Sequence, residues 1–272
     1  MSSNKERGED ALKKLEKELN ARDRAEKSGP FKVAALALVA IVIIAGGIWY
    51  FASREDDSQT EASSDGSVLT GERADTLPDT VTCTYNEAGT SAKKVSLPQG
   101  SDISTKGTAT LTLATTQGSI GMNLDRSVSP CAVNALSHLA QEKFYDNTIC
   151  HRLTTEGIHV LQCGDPKGDG TGGPGFRYDE EYPTGDAKAS TQQSVIYPRG
   201  SIAIAKSGKN TNGSQFFLNY QDSPLPPEYT YVGTVDDEGL KTLDAIAEKG
   251  TKDGSSDGEP AEEVHIDSAT VK

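Results

Sequence analysis

The chain has 272 residues, 25% of them charged and 6% aromatic, with a formal net charge of −13. That length holds one domain of about 170 residues with accessory segments, or two small domains. The acidic balance argues against nucleic acid as a partner, because neutralising phosphates requires Lys and Arg.

The charge is unevenly spread. Residues 1–32 carry nine Lys and Arg against seven Asp and Glu. Leu12, Leu15 and Leu19 fall three and four apart there, which predicts a solvated helix. Residues 33–51, VAALALVAIVIIAGGIWYF, are 19 residues without a charge. As a helix they would span roughly 28 Å, about one hydrocarbon core. Trp49 and Tyr50 at the far end suit the headgroup region. Nine basic residues precede the span, whereas Arg54 is followed at once by Glu55, Asp56 and Asp57. The expectation is a single-pass cell-membrane protein with a cytoplasmic N-terminus and an extracytoplasmic remainder. An uncleaved anchor fits better than a signal peptide, whose charged and apolar regions are both shorter.

Residues 52–104 read as an acidic linker and N-terminal extension. The stretch 52–78 is poor in apolar residues and rich in Ser, Asp and Glu, which predicts a disordered spacer. Residues 79–104 are ambiguous, with Cys83 a candidate tie to the C-terminal domain. Cys83, Cys131, Cys150 and Cys163 all lie beyond the apolar span. An even count in an oxidising space predicts disulfides, and four cysteines allow three connectivities. Their spacing matches no zinc site, and no metal or cofactor is expected.

From residue 105 to 272 the texture is that of a folded domain. TATLTLATT alternates, with Ala109, Leu111 and Leu113 on one face, and QGSIGMNLD reads as its hairpin partner. Pro130 opens a helix with Val133, Leu136, Leu139 and Ala140 on its apolar face. Strands are expected near ICHRL, HVLQC, SIAIAK, SQFFLN and YVGTV. Residues 239–248 read as a second helix and EEVHIDSATV as the last strand. Many strands, Gly-rich turns and two helices predict a mainly β domain, a closed barrel with helices at its ends.

Several chemistries fall away. GDPKGDGTGG lacks the Gly-Lys-Ser/Thr ending of a phosphate loop, and its Asp spacing is wrong for an EF-hand. No Gly-x-Ser-x-Gly elbow is present. In FYDNTICHRL, alternation puts Cys150 and Arg152 on one face and His151 on the other. Gln215 and Phe217 share a face, while Phe216 turns inward. One Arg, two Gln (Gln162 and Gln215), an aromatic floor and aliphatic walls, with no acid or nucleophile, suit non-covalent work on an extended peptide. The Asn- and Gly-rich GKNTNGS before QFFL supplies the rim.

Two stretches carry a resemblance. FYDNTICHRLTTEGIHVLQCGDPKGDGTGGPG is similar to the cyclophilin signature, and RGSIAIAKSGKNTNGSQFFL resembles the second cyclophilin block almost residue for residue. The match runs from about 107 to 272. With its anchor and acidic linker the chain is similar to extracytoplasmic cyclophilins of high-GC Gram-positive bacteria. The resemblance implies a peptidyl-prolyl cis-trans isomerase, an eight-stranded antiparallel barrel capped by two helices, a monomeric domain and proline-containing polypeptides as substrates.

It also implies roles. Arg152 matches the arginine that polarises the proline amide, and Gln162 and Gln215 match the glutamines that orient it. Phe217 matches the floor of the proline pocket, with Val160 and Leu225 as walls. Ala205 and Lys206 match the residues whose backbone pairs with the peptide, Ile204 beside them counts among the substrate-binding positions, and Gly170 lies on the matching rim loop. Departures are Cys150 for the signature's Phe, Pro224 for the loop aromatic, Tyr229 for the pocket His, and Lys206 for the usual Asn. The turn LTTEGI is two residues longer than usual, so the pocket position before Val160 falls on His159 or Ile158. Of the disulfide connectivities, Cys150 with Cys163 on neighbouring strands is favoured, which leaves Cys83 with Cys131. The alternative function is a proline-peptide-binding scaffold or chaperone with weak turnover.

Overall fold

The computed structural model describes residues 66–187, 189 and 192–272. The apolar span 33–51 and the basic segment before it lie outside the described residues. Among the described residues, no helix is long and apolar enough to cross a membrane.

The strands in chain order are β1 (Thr80–Val81), β2 (Asn86–Glu87), β3 (Ile103–Ser104), β4 (Thr108–Thr115), β5 (Gly118–Asp125), β6 (Thr148–Cys150), β7 (Arg152–Thr154) and β8 (Val160–Cys163). They continue as β9 (Phe176–Arg177), β10 (Val195–Tyr197), β11 (Ser201–Ile204), β12 (Phe216–Asn219), β13 (Ser223–Leu225), β14 (Tyr231–Val235), β15 (Asp257–Gly258) and β16 (Val264–Val271). Helix α1 spans Pro130–Gln141 and α2 spans Asp237–Glu248.

Ten of these strands form one sheet in the order β15-β7-β8-β12-β11-β14-β5-β4-β16-β6. The alternation of β4 places Ala109, Leu111 and Leu113 in the core, each fully buried. Its hairpin partner β5 adds Ile120, Met122 and Leu124. Helix α1 packs Val133, Leu136, Leu139 and Ala140 on the same core. Helix α2 contributes Leu243 and Ile246. It begins two residues before the expected start, because Asp236 caps it by accepting from the Gly239 N–H at 2.7 Å.

Ten strands rather than eight share one curled sheet, whose hydrogen-bonded order runs from β15 to β6. The physical reason lies in ICHRL, expected as one strand. It breaks at His151: β6 pairs with β16, whereas β7 pairs with β8 and β15. Because β6 and β7 belong to one short run of chain, the sheet must curl to bring its two ends to that run. The break also corrects the face assignment. Cys150 points into the main core beside Val264, and Arg152 does not.

Residues 66–104, expected within a linker and extension, are folded against the domain. Leu69 is buried, and Val68 bridges to Ile196. β1 pairs with β3 and β2 with β9. The Tyr85 ring packs edge-on against Phe176 and Tyr178, both centroids 5.7 Å away. Lys93 donates to the carbonyls of Lys143 and Asp146 just past α1, at 2.6 and 2.7 Å, where a cation also meets the negative end of the helix dipole. A few well-placed anchors fix a segment whose average composition is polar.

Both disulfides form as favoured. Cys83–Cys131 ties the extension to the start of α1, and Cys150–Cys163 joins β6 to β8, with Cα–Cα distances of 5.4 and 4.0 Å.

Candidate active site

Four neighbouring strands set out the site. Register pairs run Arg152 to Gln162, Gln162 to Phe217, and Phe217 to Ala203 across β7, β8, β12 and β11. Period-two alternation sorts the side chains. Leu161, Phe216 and Ile204 enter the main core, while Val160, Phe217 and Ala203 enter a second apolar cluster on the other face.

The polar members form a chain of hydrogen bonds. Arg152 Nη1 donates to Gln162 Oε1 at 3.2 Å, and Gln162 Nε2 donates to Gln215 Oε1 at 2.8 Å. Gln215 Nε2 then donates to the carbonyls of Gly170 and Gly172, both at 2.9 Å. Every amide orientation in the chain is thereby fixed by its neighbours. Gly164 makes this possible at the end of β8. Its φ is +92°, and a Cβ there would lie 2.3 Å from the Ser214 carbonyl, so a side chain would push the strand carrying Gln215 away.

Arg152 is also held from behind. Its Nε and Nη2 donate to the two carboxylate oxygens of Asp257 at 2.7 and 2.8 Å. The bond to Asp257 raises the arginine's pKa further, so its charge is permanent. His151 sits at the strand break beside it. Burial pushes its imidazole pKa down, against the opposing pull of Asp165 and Asp169. Of these two neighbours, only the guanidinium brings a permanent positive charge to this edge of the cleft.

The apolar floor is Phe217, 5% exposed. Tyr229 packs edge-on against it with centroids 5.6 Å apart, and Val160, Ala203 and Leu225 belong to the same cluster. Tyr197 locks Tyr229 by donating to its carbonyl at 2.6 Å and accepting from its N–H at 3.2 Å. The Ala205 N–H donates to the Gln215 carbonyl. Lys206 turns back under the rim, where Glu180 and Glu228 meet its ammonium at 3.1 and 2.8 Å. Burial alone would lower the pKa of this lysine, but the two carboxylates outweigh it and raise it.

Two expected site residues stand elsewhere. Ile204 is fully buried in the main core, opposite Phe216. His159 does not join the Phe217 cluster. Its ring meets Tyr220 edge-on at 5.6 Å, and Ile158 packs against the cluster instead. The long turn is closed by Thr154, whose hydroxyl donates to the Ile158 carbonyl and accepts from the Val160 N–H. Pro224 is exposed on β13.

The profile of the family described as "Cyclophilin type peptidyl-prolyl cis-trans isomerase/CLD" matches residues 110–271. The chain belongs to the cyclophilin family. Relatives of this cyclophilin include the proteins named "Probable peptidyl-prolyl cis-trans isomerase B" of Mycobacterium leprae and Mycobacterium tuberculosis, each 50% identical, over 69% and 66% of this chain. The matches span 66% and 60% of those relatives' own lengths. A Helicobacter pylori protein named "Peptidyl-prolyl cis-trans isomerase" is 40% identical over 51% of this chain and 80% of its own. Among solved structures, a Cryptosporidium parvum cyclophilin type isomerase crystallised in the presence of the dipeptide Ala-Pro aligns with a TM-score of 0.50 at 30% identity. That alignment covers 60% of this chain and 98% of the other.

Asp257, Glu180 and Tyr197 escaped the sequence reading of this cyclophilin. Ile158 was one of two placements that the longer turn left open. Asp257 lies in KDGSSDGEP, where no local pattern separates it from Asp253. Only the pairing of β15 with β7 brings it to Arg152.

Proposed function

We propose that the chain accelerates cis–trans rotation about X-Pro bonds in extended polypeptide segments. Its mycobacterial relatives carry the isomerase name, and the observation that carries the reading is the fixed Arg152–Gln162–Gln215 chain beside the Phe217 floor. The X-Pro amide is conjugated, and twisting it costs about 18–20 kcal/mol. In the twisted state the nitrogen regains its lone pair and becomes an acceptor. A charged donor at that nitrogen binds the twisted state better than either planar isomer, which is the condition for catalysis. Arg152 has hydrogens to spare for this role, Phe217 and its neighbours hold the pyrrolidine ring, and the backbone just past β11, at Ala205 and Lys206, holds the peptide still.

A charge-assisted hydrogen bond contributes roughly 1.5–3 kcal/mol, so its loss costs about 10- to 150-fold in rate. Arg152→Ala is therefore expected to keep the fold and lower kcat/KM about a hundredfold in a coupled proline-peptide assay. Undiminished turnover would refute the role. Peptide affinity measured on the same variant separates turnover from simple binding.

The finer setting is also a proposal. The uncharged span 33–51, the basic residues before it and two disulfides support a domain held outside the cell membrane by one helix, acting as a monomer on secreted or envelope proteins. A protease-protection assay on intact cells tests the topology: digestion of residues 66–272 only after lysis would reject it.

A further inference from the structure

We propose that Asp257 is the positioning residue for Arg152, an inference that rests on the isomerase reading above. Three observations carry it. The carboxylate engages two nitrogens of the guanidinium in a forked pair at 2.7 and 2.8 Å. The third nitrogen, Nη1, is thereby aimed across to Gln162 on β8. Asp257 is itself held, because β15 pairs with Thr154 and Leu153 of β7, and a residue opposite Thr154 is a diagonal neighbour of Arg152. The surrounding loop is cross-braced. Thr251 bridges to Pro260, Lys252 pairs with Glu259 at 3.0 Å, and Ser255 donates to the Asp257 carbonyl at 2.9 Å.

Two effects of the carboxylate oppose each other. Its charge weakens the field that Arg152 projects onto a substrate nitrogen. Its geometry removes the freedom of a long side chain that would otherwise sample many rotamers. The Asp257 side chain is 53% exposed, so water screens the first effect. Orientation is not screened, and small misplacements of a catalytic group are costly in rate. Positioning therefore dominates. Arg152 alone keeps its charge without Asp257, but it loses its aim.

The test is Asp257→Ala and Asp257→Asn, each made in the full chain and also combined with Arg152→Ala. With the wild-type sites intact, Asp257→Ala should lower kcat about tenfold, leave KM nearly unchanged and leave the melting temperature unchanged. Asp257→Asn, which keeps one acceptor, should fall between. In the Arg152→Ala background, removing Asp257 should do nothing further, because there is no guanidinium left to aim. The Arg152 Nε–H signal in an NMR spectrum should be slow to exchange in the wild type and fast in Asp257→Ala. The proposal is overturned if either variant raises kcat, if Asp257→Ala keeps full turnover, or if its loss persists in the Arg152→Ala background. A wild-type chain without any isomerase activity would instead sink the functional reading, while the Nε–H exchange would still report on the pairing.

Discussion

Cys163 comes directly after Gln162 on β8 and is bonded to Cys150, two residues before Arg152. The bond therefore clamps the chain on both sides of the Arg152–Gln162 hydrogen bond. The other disulfide, Cys83–Cys131, holds the extension to α1 and includes none of the site's strands. Their effects should separate. By loop closure, a bond spanning 48 residues contributes about 4 kcal/mol and one spanning 13 about 3 kcal/mol. Replacing Cys83 and Cys131 by Ala should cost more stability and leave kcat/KM within about twofold. Replacing Cys150 and Cys163 should cost less stability and more turnover. Denaturant titrations beside peptide kinetics on the two double variants check this, and the reverse ranking in turnover would rule it out.

Lys206 and Glu180 form an ion pair whose side chains are 5% and 3% exposed. Glu180 also accepts from the Asn210 N–H at 2.7 Å, so one carboxylate fastens Lys206, just before the polar rim loop, and Asn210 within it. Removing only the cation takes the ionic partner from Glu180 and leaves it the Asn210 N–H, which at this half-buried rim costs about 1–3 kcal/mol. Lys206→Met should destabilise by that order and speed amide exchange in residues 207–212. Adding Glu180→Gln should restore part of the loss. A Lys206→Met variant as stable as the parent would show that the buried pair adds nothing.

Much of this architecture was legible where periodicity and local turn chemistry decide it. The β4–β5 hairpin, the apolar face of α1 and the inward turn of Phe216 follow from alternation and helical spacing within a few residues. The features that were not legible depend on partners distant in the chain. ICHRL alternates smoothly, but Cys150 pairs with Val264 and Arg152 with Gln162, and serving two partners breaks the strand at His151. The extension looked like linker because its average is polar; Leu69, Cys83 and Tyr85 are single anchors that only the folded surface makes meaningful. Arg152, Gln162, Gln215 and Phe217 were named from motif resemblance. Asp257 could not be, since its carboxylate matters only through a two-residue strand formed far along the chain from β7.

Ile158 and His159 offer a direct contrast. Ile158 packs against the apolar cluster that includes Phe217, and His159 turns to Tyr220 on the other side. Trimming a pocket wall by a few methyl groups weakens apolar binding by about 1–3 kcal/mol. Ile158→Ala should therefore raise KM for proline peptides about tenfold with a smaller change in kcat. His159→Ala should leave both constants within about twofold and lower only stability. The opposite pattern in steady-state kinetics would return His159 to the pocket.

Glu181 gives the fold a pH dependence whose sign is set by its surroundings. Its carboxylate accepts from the N–H groups of Cys131 and Ala132 at the start of α1, at 3.1 and 2.8 Å. Burial nevertheless pushes its pKa up from 4.5 to about 7, and those donors and Arg73 only moderate the rise. The native chain thus binds a proton that the unfolded chain has released between about pH 4.5 and 7. Stability must fall as pH rises through that window and level off above it. The ceiling is about 3 kcal/mol, and residual solvent access around Glu181 reduces it to about 1–2 kcal/mol. For a domain of this size that corresponds to roughly 2–8 °C in melting temperature. Glu181→Gln should remove this slope, so its melting curve should flatten relative to the wild type between pH 5 and 7.5. Parallel curves, or a wild type that gains on the variant as pH rises, would show that Glu181 keeps its charge in the folded state.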